Sequence, residues 1–230
     1  MSSEGAILTV RDLTRHFPVR GGIQGRTVKK MHAVDGVDLE VMAGETLGVV
    51  GESGCGKSTT ARLLMHLIEP DVGTLHFDGK LVGSPELPLK GYGRQVQMVF
   101  QVSHSSLNPR LTIEDNIAFG ARVHGTPARE ALARTHDLRD RVGLDPLRFA
   151  GRYPHELSGG QCQRVNIARA PALRPRVLIL DEAVSALDKS VEAQVLNLLA
   201  DLKAEFGLTY IFISHDLNVL RFASDRVMVM

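Results

Sequence analysis

Nine consecutive residues, Gly51, Glu52, Ser53, Gly54, Cys55, Gly56, Lys57, Ser58 and Thr59, carry a spacing suited to phosphate chemistry. Gly51, Gly56, Lys57 and Ser58 stand at the defining positions of Gly-x-x-x-x-Gly-Lys-Ser/Thr. In such a loop, successive backbone N–H groups and a helix N-terminus converge on an anion. Lys57 then reaches the terminal phosphates, and the Ser58 hydroxyl holds a magnesium ion. A plain strand-to-helix turn would use the glycines but would have no use for the Lys-Ser pair. A second candidate group is the acidic pair Asp181-Glu182 at the end of the apolar run Val177-Leu-Ile-Leu180. Hydrolysis of a bound nucleotide needs a metal-holding acid and a group that aims or activates water. Asp181 suits the first role, through the metal's water shell, and Glu182 the second, as general base. A helix cap with a dipole-compensating neighbour is the structural alternative for this pair.

These residues require a scaffold, and the sequence outlines one. Thr46–Val50 is an apolar run suited to a buried strand before the loop, and a helix is expected over Thr59–Ile68 after it. Upstream, Ala6–Phe17 and Val37–Val41 read as strands joined by a Gly- and Lys/Arg-containing loop from Pro18 to about Met31. The basic residues Arg20, Arg26, Lys29 and Lys30 in that loop read as a solvated face. Gly73–Gly79 is a short strand ending in an Asp-Gly turn, and Val96–Phe100 is a further buried strand followed by Gln101. From Thr112 to about Phe149 the pattern is helical, with Thr126 as an N-cap and Pro127 at a first helical position. A helix near Ser158 to Ala170 should stop at Pro171, since an interior proline costs ~3 kcal/mol. The strand 177–180, a helix from Val191 to about Phe206, a strand Leu208–Ile213, His215, a short helix and a strand Val227–Met230 complete the chain. Strands alternating with helices imply a mainly parallel sheet covered on both faces.

Composition narrows the function. The 230 residues include 27 Lys plus Arg and 26 Asp plus Glu, a net charge of +1, which argues against a dedicated nucleic-acid surface. The two cysteines, Cys55 and Cys162, lie in Gly-rich polar motifs at neither disulfide nor zinc spacing, so a reducing compartment is expected. No apolar run approaches the ~20 residues that cross a bilayer, and the start lacks the regions of a secretory signal.

The segment Leu157-Ser-Gly-Gly-Gln-Cys-Gln-Arg164 resembles the signature motif of ATP-binding cassette (ABC) proteins. It occurs in the family's order: phosphate loop, Gln101 after a strand, signature, LILDE, Ser185-Ala-Leu-Asp188, then His215. The resemblance covers almost the whole chain, from Leu8 to Met230. It implies an α/β fold with a P-loop NTPase (RecA-like) core, an antiparallel β subdomain and a helical signature subdomain at about 102–164, all in one nucleotide-binding domain. It implies ATP and Mg2+ as cofactors. Ser158, Gly159, Gly160 and Gln161 open a helix whose bare N–H groups would form a second anion site. In the family two cassettes pack head to tail, each ATP lying between the phosphate loop of one and the signature of the other.

By the same resemblance, Gln101 contacts magnesium or attacking water and couples the site to membrane subunits. His215 is the switch histidine at the γ-phosphate, Asp188 communicates across the dimer, and Phe17 stacks on adenine, with a strand-end core aromatic as its structural alternative. SLNPR at 106–110, RYPHELSGGQ at 152–161, DEAVSALD at 181–188 and EAQVLNLLADL at 192–202 resemble the oligopeptide and dipeptide importer branch, which includes nickel importers. That branch implies a second ATPase, identical or related, two membrane permease subunits, a solute-binding protein acting indirectly, and a place at the cytoplasmic face of the membrane, with no nucleic-acid partner. Members usually continue past the strand at Met230, so a C-terminally truncated domain is expected. Three departures stand out: Val102–His104 replaces an Asp-Pro, Cys162 replaces an Arg, and Pro171 replaces a Leu and should shorten the signature helix. A soluble cassette for DNA repair or translation would carry zinc-binding cysteine pairs or a second cassette. A non-hydrolysing subunit would usually lack Glu182.

Overall fold

The computed structural model describes residues 5–21, 26–100, 106–185 and 187–230. Strands β1 (Ala6–Gly21) and β2 (Arg26–Met42) form a long antiparallel ribbon. Strand β3 (Thr46–Val50) runs into the phosphate loop and helix α1 (Lys57–Leu64). Then come β4 (Val72–Phe77), β5 (Lys80–Leu81), α2 (Leu89–Gln95) and β6 (Val96–Val99). Helices α3 (Ile113–Val123), α4 (Ala128–Arg141), α5 (Pro146–Phe149) and α6 (Gly159–Arg169) follow. The chain closes with β7 (Val177–Asp181), α7 (Lys189–Phe206), β8 (Thr209–Ile213), α8 (Leu217–Ala223) and β9 (Arg226–Val229).

Two sheets result. One is antiparallel, in the order β2-β1-β4-β5. The other has the order β6-β7-β8-β3-β9, and every pair in it is parallel. All five strands therefore end at one edge of that sheet, where ligands of open α/β sheets bind.

The buried runs of β7 and β8 explain why both faces are covered. Along β7, Val177 and Ile179 pack with Leu63, Leu64 and the antiparallel sheet, while Leu178 and Leu180 pack with the helical segments. In β8, Ile211 and Ile213 take the first side and Tyr210 and Phe212 the second. Side chains alternate across a strand, so an uninterrupted apolar strand requires a partner layer on each face.

Most boundaries lie within two residues of the sequence reading, but three readings are corrected. The loop expected from Pro18 to about Met31 is largely strand: Phe17 pairs with Met31, Pro18 with Lys30 and Val19 with Lys29. Lys29 and Lys30 are exposed on this arm, so ladder hydrogen bonds carry it without a buried apolar stripe to announce it. Helix α1 starts at Lys57 and ends at Leu64, four residues before Ile68, because His66 turns to φ 54° and breaks the helical run. Helix α4 begins at Ala128, and Pro127, with ψ 140°, sits at its cap rather than its first turn.

Helix α6 ends at Arg169, and Pro171 opens a single 3-10 turn, Pro171–Leu173. In the helical layer Arg139 is fully buried, with its guanidinium 3.1 Å from the Glu114 carboxylate.

Candidate functional site: a phosphate loop at the edge of a parallel sheet

The loop after β3 is built by close approach. Gly56 has φ 105°, and a Cβ there would lie 2.1 Å from the Ala33 carbonyl oxygen. At Gly51 a Cβ would stand 2.5 Å from the Met230 carbonyl oxygen and 2.6 Å from Cys55 Sγ. Both positions admit no side chain, so the loop is pressed between β2 and the end of the chain. Gly56→Ala is accordingly expected to abolish nucleotide binding and lower the thermal midpoint of unfolding, measured by fluorescent-nucleotide titration and differential scanning fluorimetry. Wild-type behaviour on both would refute this packing.

Lys57 is buried, and its ammonium donates to the carbonyls of Gly51 and Glu52 at 2.8 Å each, with Cys55 Sγ at 3.7 Å. The cation is thus held over the loop, where phosphates would meet it. Ser58 Oγ donates to Asp181 Oδ1 at 3.2 Å, although 123 residues separate them in sequence. Burial pushes the Asp181 carboxyl above its usual range, only partly offset by the Ser58 hydrogen bond. A buried carboxylate beside a hydroxyl is an oxygen donor set suited to a hard dication, which keeps most of its waters and its phosphate ligands.

Parallel register sets the remaining groups. Asp181 is level with Ile213, and Ile213 with Val49, so the ends of β7, β8 and β3 form one row. Glu182 follows with φ 48°, its N–H donating to the Ile213 carbonyl at 3.0 Å. This left-handed backbone is uncommon for a non-glycine residue and clusters at functional sites. It turns the Glu182 carboxylate to within 3.4 Å of His215 Nδ1. Ser214 N–H donates to the Val49 carbonyl at 3.2 Å and holds the His215 turn beside the phosphate loop. A cavity of about 690 Å³ is lined by Met31, His32, Ala33, by Ser53, Gly54, Gly56, Lys57, Ser58 and Thr59, and by Glu182 and His215. The phosphate loop, Glu182 and His215 therefore share one wall.

Other expected residues lie elsewhere. Ser158 caps α6, its hydroxyl accepting from Gln161 N–H at 3.4 Å while Gln161 Oε1 accepts from Ser158 N–H at 3.0 Å. With Gly160 and Gln161 it lines a separate cavity of about 300 Å³ that includes Arg164 and Val191. Gly159 is exposed beside it, at the first turn of α6. Asp188 is exposed at the cap of α7. Cys162 points into the core, its thiol donating to the Pro154 carbonyl at 3.5 Å, so the residue that departs from the family pattern leaves the exposed helix tip untouched. Phe17 is half-buried, with the Arg15 guanidinium carbon 5.2 Å from its ring centroid, and does not line the large cavity. Its cross-strand neighbour Met31 does. Gln101 and Val102–His104 lie outside the described residues.

Sequence reasoning missed two groups. Met31, His32 and Ala33 wall the cavity, yet fell at or just after the expected loop. Gln163, buried on α6, donates to the carbonyl of Ala183, directly after Glu182. Asn166, two turns into the same helix, donates to the carbonyl of Phe100 at 3.4 Å, directly before Gln101. These contacts tie the signature helix to both functional segments, and buried amides at i and i+3 on a helix were the available signal.

Comparisons with known proteins agree with this geometry. A family model described as ABC transporter matches residues 34–185. The chain is 49% identical over 232 residues to the oligopeptide transport ATP-binding protein AppF of Bacillus subtilis, covering all of this chain and 70% of that protein. It is 50% identical over 227 residues to the glutathione import ATP-binding protein GsiA of Escherichia coli strain K12, covering 97% of this chain and 36% of that one. The chain thus spans about a third of the length of GsiA. Among solved structures, a dimeric post-hydrolysis state of the ATP-binding cassette MJ0796 bound to ADP and Pi superposes with a TM-score of 0.83 at 29% identity, over 97% of this chain and 94% of that one. CbiO1 of Clostridium perfringens, part of an ABC transporter complex, superposes with a TM-score of 0.81 at 29% identity, over 99% and 85%. The family model over residues 34–185 and a relative 49% identical along the whole chain show that the chain belongs to the ABC transporter family, as an ATP-binding cassette with ATPase function.

Proposed function

We propose that this cassette works in a head-to-tail pair and drives import of peptides through membrane permease subunits, from the cytoplasmic face of the membrane. The observation that carries the pairing is the separation of two anion-binding elements. The phosphate loop lines one cavity and the Ser158–Gln161 helix tip another, and they share no lining residue. A nucleotide seated on the phosphate loop would therefore meet such a tip from a second chain rather than from its own. ATP then favours the closed pair, because its γ-phosphate alone reaches both sides, and hydrolysis removes that preference.

Within one half-site, Lys57 and the loop N–H groups bind the phosphates. Ser58, Asp181 and Gln101 are the residues that would hold Mg2+, and the chemistry a bound Mg2+ supplies is neutralisation of charge on the phosphate oxygens. Glu182 accepts the proton of the attacking water, and His215 contacts the γ-phosphate and positions that carboxylate. Asp188, exposed at a helix start, would report across the pair.

The importer reading is supported by relatives named for oligopeptide transport and glutathione import, both peptide cargoes. Among the described residues no helix is long and apolar enough to cross a membrane, which fits a subunit that relies on permease partners. A nickel importer is the alternative. Deleting the gene should abolish uptake of a labelled di- or tripeptide, and wild type but not Lys57→Ala should restore it. Unchanged peptide uptake with loss of 63Ni2+ uptake would favour the alternative instead.

A further inference from the structure

The antiparallel ribbon carries a cluster that the nucleotide chemistry does not use. Strands β1 and β2 slip register beside the phosphate loop: Arg15 pairs with Val34, but His16 pairs with His32, leaving Ala33 as an extra residue. Such a bulge changes which side chains share a face. In a regular strand residues 32 and 35 would point to opposite sides, yet here both meet His16. His16 Nε2 is 3.2 Å from Asp35 Oδ1, and His32 Nδ1 is 3.2 Å from Asp35 Oδ2. The two imidazole rings lie with centroids 3.8 Å apart and planes tilted by 33°. One donor atom from each of the three residues falls within 4.8 Å of the others.

We propose that His16, His32 and Asp35 bind one zinc-class transition-metal dication at the rim of the large cavity. Two imidazoles and a carboxylate are donors that zinc accepts, with a fourth position open to water. Zinc bonds of 2.0–2.1 Å put neighbouring ligand atoms about 3.3 Å apart in a tetrahedron. The two nitrogen-to-carboxylate gaps, each 3.2 Å and each to a different oxygen of Asp35, are close to that edge, so a small turn of the carboxylate brings both imidazoles onto one ion. Two adjacent imidazoles that both reach one carboxylate gather three donor atoms within 4.8 Å, a set that a dication satisfies in place of shared protons.

The supports are held in place. The His16 N–H donates to Asp71 Oδ2 at 2.7 Å, Asp71 in turn pairs with Arg15 at 2.8 Å, and the Gly36 N–H after Asp35 donates to Thr14 Oγ1 at 3.0 Å. His32, more exposed than His16, has room to turn onto the metal. It also walls the nucleotide cavity, beside the bulged Ala33 whose carbonyl Gly56 touches. If that cavity holds nucleotide, as proposed above, whatever factor the metal imposes on nucleotide affinity is returned by nucleotide on metal affinity. The metal site itself does not depend on that reading.

The test uses tag-free protein without nucleotide, Zn2+ in isothermal titration, and Co2+ as a spectroscopic probe. One Zn2+ per chain is expected, and Co2+ should show the intense visible bands of low coordination. His16→Ala and Asp35→Asn, checked for folding by circular dichroism, should each weaken Zn2+ by at least about tenfold and remove those bands. Overturning results are an absence of the bands in the parent, a Co2+ thiolate band pointing to Cys55, or Zn2+ affinity in both variants equal to the parent's. The last would mark a hydrogen-bonded His-Asp-His cluster only.

Discussion

Glu182→Gln is expected to bind ATP as the parent does and to lose about 10²- to 10⁴-fold in hydrolysis, the range a positioned general base supplies. The reason is geometric. Glu182 stands at the end of β7, its backbone held by the Ile213 carbonyl and its carboxylate beside His215 on the cavity wall. Glutamine keeps the shape and the backbone but cannot accept a proton from water. Lys57, Ser58 and the loop N–H groups are untouched, so binding should persist. Single-turnover phosphate release set beside equilibrium ATP binding separates the two effects. Normal turnover in the variant would remove Glu182 from the role of base.

The second large effect concerns Lys57. Lys57→Ala should weaken ATP by on the order of a hundredfold, because the two charge-assisted bonds proposed from Lys57 to the β- and γ-phosphates would each be worth about 1.5 kcal/mol. The ammonium also satisfies the Gly51 and Glu52 carbonyls at 2.8 Å, so its removal loosens the loop as well as discharging it. Equilibrium titration with a fluorescent ATP analogue reads the affinity, and circular dichroism checks that the fold remains. Parent-like affinity would mean that the backbone N–H groups alone bind the phosphates.

The core of this site was legible because local chemistry and global packing demand the same residues. Thr46–Val50 reads correctly to the residue, since a strand buried on both faces leaves no polar ambiguity. The helix start near Ser158 was legible, and the structure adds a reciprocal pair there between Ser158 and Gln161. Asp181 ends, and Glu182 follows, a strand whose end must lie at the ligand edge of a parallel sheet.

What was not legible depends on pairing across the chain. The outer half of the β1–β2 ribbon is held by main-chain bonds and carries exposed lysines, so its composition mimics a loop. The missed slip at Ala33 is what brings Met31 and His32 to the cavity and leaves Phe17 on the strand behind Met31. The approach of His215 to Glu182 likewise follows from the β7–β8 register, which no local window contains.

The central claim is that the loop at Gly51–Thr59 is half of a nucleotide site, completed by Ser158–Gln161 of another chain. The most direct measurement is the mass of the Glu182→Gln protein in light scattering, with and without ATP, compared with the same protein carrying Ser158→Arg. ATP should double the mass of the first, whereas the second should bind ATP through its intact loop and stay at the single-chain mass. A Ser158→Arg protein that pairs as completely as its parent would contradict the claim, since the Ser158 tip would then not be the other half of the site.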